Sequence, residues 1–146
     1  MGAVVFLCMK KYELIDHTAD IGLRIFGGSL EELFQNAGFA LFDVLTGSEK
    51  VMPREKRTFE LERENLEELL VEWLGTLLYV FDTEQFLCSS FKVIRLDNNR
   101  LHAEAAGEYY QDGVHSIATA VKAITYHQLT LSEKNGLWEA TVIVDV

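Results

Sequence analysis

The chain has 146 residues, 49% of them hydrophobic, with one proline and no glycine- or serine-rich linker, so it makes one packed domain and excludes long disordered stretches. Twenty-three acidic residues against 13 basic ones give a net charge of −10, which excludes phosphate-backbone binding as the main activity, because that needs a basic surface. A basic protein partner or a metal ion suits such a surface better. Only Cys8 and Cys88 are present, far apart and without metal-ligand spacing, and they read as reduced thiols of a cytoplasmic protein.

Residues 1–10, "MGAVVFLCMK", carry an apolar run too short to span a membrane. The lysines follow that run instead of preceding it, unlike a signal peptide, and Gly2 lacks the serine or threonine of a myristoylation site. The segment reads as an extension or an edge strand, with the domain proper at 11–146. Next, "IDHTADIGLRI" crowds Asp16, His17 and Asp20 onto the mouth of a strand in which Ile21, Leu23 and Ile25 alternate with Gly22, Arg24 and Phe26. "GGSLEEL" ends this strand and opens a helix, Ser29 standing at the N-cap with Glu32 at capping-box spacing. Leu30, Leu33, Phe34, Ala37, Leu41, Val44 and Leu45 form its apolar stripe. Phe39 and Phe42 fall off that stripe and suit either a second packed layer or an exposed patch.

The scheme recurs. Phe59 and Leu61 alternate with charges, and Asn65 with Glu68 caps a second helix, apolar over most of its girth, for which deep burial is expected, Val71 and Tyr79 included. A shift of 36 residues lays Leu30 on Leu66, Leu23 on Phe59 and Leu41 on Leu77, which suggests internal duplication of a strand–helix unit. Beyond Thr83 the pattern is strand-like: "FKVIRL", a turn at "DNNR", "LHAEAAGEYY", a loop at "QDGVHS", then "VKAITYHQLTL" and "LWEATVIVDV" around "SEKNG". Asn135-Gly136 fits a type I′ hairpin turn. The expected fold is α+β, a mixed or antiparallel sheet with two helices packed on one face.

Asp20 opens a strand, and Asp145 ends the last one, followed by Val146 and its α-carboxylate if the chain stops there. If the first and last strands are neighbours, these oxygens converge, and three anions so close call for a cation such as Ca²⁺. Solvated aspartates at strand ends are the plainer alternative. His127 is expected on a strand face with Ala123, Thr125 and Leu129, either as a structural residue or reaching a carboxylate or metal. Lys122, His115 and Arg24 read as ordinary surface cations. No GxSxG, HExxH or P-loop is present.

"DHTADIGLRI", "SLEELFQNAGFALFDVL", "VKAITYHQL" and a chain ending in aspartate plus one aliphatic residue, in that order from about Tyr12 to Val146, resemble the archease family. The resemblance implies a cytoplasmic, non-catalytic cofactor of the RtcB-type RNA ligase, promoting guanylylation of the ligase histidine and multiple turnover in tRNA splicing and RNA repair, with GTP and RNA met only through the ligase. It also implies a calcium-type metal site on Asp20, Asp145 and Val146, with Asp16, His17, His127, Lys122 and His115 supporting it or facing the partner. The alternative is a small metal-dependent hydrolase using Asp20, His17 and His127, or a chaperone of another RNA-modification enzyme; against the hydrolase stands the lack of a nucleophile.

Overall fold

The computed structural model describes residues 10–17, 19–47 and 50–146, with His17 described in its backbone only. The elements run β1 (Tyr12–His17), β2 (Asp20–Gly27), α1 (Leu30–Thr46), β3 (Glu55–Glu62), α2 (Leu66–Glu84), β4 (Phe86–Asp97), β5 (Arg100–Tyr109), β6 (Ala123–Ile124), β7 (Thr130–Lys134) and β8 (Leu137–Asp145). The fold is α+β, as expected, but the strands divide into two antiparallel sheets. One is ordered β1-β2-β8, with β6 and β7 both on the far side of β8; the other is β3-β5-β4.

Both helices start where the caps place them. The Ser29 hydroxyl accepts the Glu32 N–H at 3.1 Å, and the Asn65 side chain accepts the Glu68 N–H at 2.8 Å. Glu32 reaches back to the Gly28 N–H at 2.7 Å, one residue beyond the usual capping-box partner. The two strand–helix units have strands of 8 residues each, yet β2 lies in the first sheet and β3 in the second.

Helix α1 lies against both β2 and β4, which explains its two apolar faces. Leu33, Ala37 and Leu41 are fully buried, while Phe42 packs on Phe91 of β4 at 6.0 Å between ring centres and Phe39 on Tyr12 of β1 at 6.3 Å. The two phenylalanines therefore form a second packed layer. Gly38 permits the close approach of α1 to β4: a Cβ there would come within 2.7 Å of the Phe91 ring. Trp73 of α2 is fully buried and donates its indole N–H to the Phe34 carbonyl at 2.9 Å.

Two expectations are corrected. Tyr79 is exposed, although Val71 is buried as expected, because the α2 face carrying Tyr79 turns away from both sheets' cores. The strand expected to carry His127 is broken. Thr130 pairs with Thr141, where the β6–β8 register continued would bring position 127, so three extra residues loop out between β6 and β7. His127 sits in that exposed loop, where Gln128 has φ 53. Beyond these, Tyr12–His17 is a strand of its own, paired with β2 through a tight turn at Ala19, φ 63. By contrast, the Asn135-Gly136 turn has positive φ at both residues, 54 and 81, as type I′ requires. Cys88 is a buried free thiol, its pKa pushed up to about 12 by burial; Cys8 lies outside the described residues, as do residues 1–9 of the expected extension 1–10.

Candidate metal centre at the end of the first sheet

β2 and β8 are the central strands of the first sheet, and alternation assigns their faces. Leu23, Ile25, Ala140, Val142 and Val144 are buried against the helices. Asp20, Gly22, Arg24, Thr141, Ile143 and Asp145 therefore project from the other face. The register pairs Asp20 directly with Asp145, and on either side it pairs His17 with Asp20 and Ala123 with Asp145. Positions 17, 20, 145 and 123 thus form one row across four strands. Directly opposed antiparallel residues share a face with Cβ atoms about 4.5–5.5 Å apart, and like charges at such positions repel.

One level down, Gly22 is flanked by Ile15 and Ile143. A Cβ on Gly22 would stand 3.0 Å from the Ile15 Cβ and 3.3 Å from the Ile143 Cδ1, so the glycine lets the two isoleucines close into an apolar floor. Below that, Arg24 spans Glu13 at 3.1 Å and Glu139 at 3.2 Å. With its guanidinium held by these two, and its pKa raised by Glu139 above all, Arg24 does not serve as counter-charge to the aspartates.

The Asp145 carboxylate has no hydrogen-bond or ion-pair partner among the described residues; its main-chain oxygen accepts the Lys122 N–H at 2.7 Å. Val146 packs its side chain against the core. Among the described residues no three His, Cys, Asp or Glu side chains gather as one metal cluster. Donors beyond the aspartate pair would come from main-chain oxygen or from water. All-oxygen donors at a half-buried strand end, with two like charges opposed, fit a hard cation.

The other site residues fall in different places. Asp16 pairs with Ile21, and the pleat sends it to the opposite face from Asp20. Lys122 is exposed and adjoins the site through its main chain. His127 lies in a loop anchored by Thr125, whose N–H and hydroxyl both donate to the Ile143 carbonyl, at 3.0 and 2.9 Å.

His115 is corrected outright. It is 4% exposed, not on the surface, and stands away from the aspartates. Its Nδ1 accepts the Gln111 N–H at 3.0 Å, so Nε2 carries the proton toward Glu108 at 3.0 Å. Glu108 also accepts from the Met52 N–H at 2.8 Å and Arg54 Nε at 3.0 Å. The Met52 amide first, then His115, lowers the Glu108 pKa to about 2. This hub joins the 50–54 segment to the 108–115 loop. It escapes sequence reading because Glu108, at the end of an alternating strand, looks like any solvent-facing carboxylate.

The profile of the Archease protein family matches residues 12–146. The chain belongs to the Archease family. Among its relatives, an archease of Sulfurisphaera tokodaii is 40% identical over 139 residues, covering 94% of this chain and 100% of its own. One from Methanosarcina mazei is 41% identical over 141 residues, covering 94% and 97%. The solution structure of a Methanobacterium thermoautotrophicum protein, 40% identical, superposes with a TM-score of 0.80 over 92% of this chain and 98% of that one. The crystal structure of a Thermotoga maritima archease, described as a possible chaperone, shares the fold at 21% identity, with a TM-score of 0.64 over 92% and 96%. No helix among the described residues is long and apolar enough to cross a membrane.

Proposed function

We propose that this archease-family chain is a cytoplasmic, non-catalytic cofactor of an RtcB-type RNA ligase, promoting guanylylation of the ligase and its multiple turnover in tRNA splicing and RNA repair. A divalent cation, Ca²⁺ by the hardness of the donors, is held at the strand end by Asp20, Asp145 and the main-chain oxygen of Val146. The observation that carries this reading is the register pair Asp20–Asp145 in the central strands. When bound, the cation supplies a concentrated positive charge that offsets the two opposed carboxylates.

The chain's own residues set up the site. The β2–β8 ladder fixes the carboxylates on one face, Ile15 and Ile143 flank Gly22 beneath them, and Glu13 with Glu139 holds Arg24. Net charge −10 lets such a surface approach the basic cleft of a nucleotide- and RNA-binding enzyme without competing as RNA does.

The test is a ligation assay with limiting ligase, GTP and RNA ending in a 3′-phosphate. Added protein is expected to raise the number of turnovers, whereas Asp20→Ala and Asp145→Ala lose the stimulation while melting within a few degrees of wild type. Unchanged turnover with the wild-type protein contradicts the reading, as does phosphoester hydrolysis by the protein alone.

A further inference from the structure

Three residues of α2 each oppose local stability, and they share one face. Gly75 sits in the middle of a 19-residue helix, where glycine costs helix stability, and a Cβ there would meet nothing within 4 Å. Thus no packing inside the described chain requires it. Tyr79 is 66% exposed, and its hydroxyl has no partner among the described residues. Asp82 lies in the last turn, where the helix dipole disfavours an anion, and no cation pairs with it among the described residues. Burial raises its pKa as well. Spacings of four and three residues align 75, 79 and 82 on one stripe.

The stripe forms one wall of an open groove of about 310 Å³, with Lys122, Ala123 and Ile124 on the other wall. This wall adjoins the aspartate pair, since Ala123 is opposite Asp145. Locally unfavourable choices gathered on one face are expected where a surface serves something outside the chain.

We infer that the Gly75–Tyr79–Asp82 groove docks a segment of a basic protein partner, which lays an apolar side chain into the Gly75 notch against Tyr79 and presents a lysine or arginine to Asp82. Charge selects this occupant. Helix α2 bears Glu67, Glu68, Glu72, Asp82 and Glu84 and no basic residue. Arg63 engages Glu72 and Arg57 engages Glu84, but Lys122 forms no ion pair with Asp82. A second copy would set two acidic helices face to face, and nucleic acid would meet the same repulsion. The inference rests on the proposed ligase partnership, because a ligase that binds RNA and GTP offers the cationic surface required.

The test measures binding of the purified ligase from the same organism to full-length wild-type, Gly75→Leu, Tyr79→Ala and Asp82→Lys proteins by calorimetry, with a melting curve for each. Gly75→Leu fills the notch and replaces a poor helix former, so its melting temperature is expected to rise by about 2–4 °C while affinity falls at least tenfold. Tyr79→Ala and Asp82→Lys are expected to lose tenfold or more with native melting. If wild type binds and all three variants bind within twofold of it, the groove is overturned and the ligase reading stands. If wild type does not bind the ligase, both fall. A wild-type homodimer that Gly75→Leu dissociates also overturns the choice of occupant.

Discussion

Two carboxylate sites in this chain are built on opposite terms. Glu108 is surrounded by donors: an amide, an arginine and a histidine all point at it. Asp145 faces another aspartate across the ladder, and its carboxylate finds no donor among the described residues. A carboxylate satisfied from within joins segments of the fold. Two carboxylates opposed across a ladder repel each other, which under the proposed function is offset by the cation they would hold. Arg24, on the same face of β2 as Asp20, is held by Glu13 and Glu139.

The contrast breaks most sharply through activity. Asp145→Asn, which keeps shape and removes charge, is expected to abolish ligase stimulation without lowering stability, since relieving like-charge repulsion offsets any lost contact. Melting curves and turnover counts on the same sample check this. At the Glu108 hub the effect is reversed. His115→Ala is expected to cost about 2–4 kcal/mol by leaving a buried cavity and removing a donor from Glu108, read from urea unfolding, while the folded protein still stimulates.

The hub also sets an acid limb. Glu108 has its folded pKa lowered to about 2 from an ordinary 4.5, so its contribution is full above pH about 4.5 and is lost as pH falls toward 2. Unfolding midpoints followed from pH 6 to pH 2 should drop across that window in wild type and drop less in Glu108→Gln. A smaller effect is expected at the helix caps, where Asn65→Ala should cost about 1 kcal/mol with stimulation intact.

Much of this was legible in the residues. Alternation in "DIGLRI" and "TVIVDV" marks two half-buried strands, and capping at Ser29 and Asn65 starts both helices where they are found. The meeting of Asp20 with Asp145 was conditional on two strands being neighbours, and the β2–β8 pairing supplies that condition. What sequence could not show has physical causes. The β1 hairpin turns through Ala19 at positive φ, a conformation that alanine does not advertise. The bulge that throws His127 outward is a register shift of three, invisible to period-two patterning. His115 is buried because Glu108, seven residues earlier, folds back on it, and no local signal links the two. Tyr79 sits in an apolar helix and reads as core, yet only tertiary packing decides which faces of that helix are covered.

The central claim is that the opposed aspartates hold a hard divalent cation, and calorimetric titration of Ca²⁺ into metal-free wild-type and Asp145→Asn protein tests it most directly. The account predicts a single saturable site in wild type that is absent from the variant, with a calcium-dependent rise in melting temperature in wild type alone. Equal binding by the two proteins, or no binding by wild type, would contradict it.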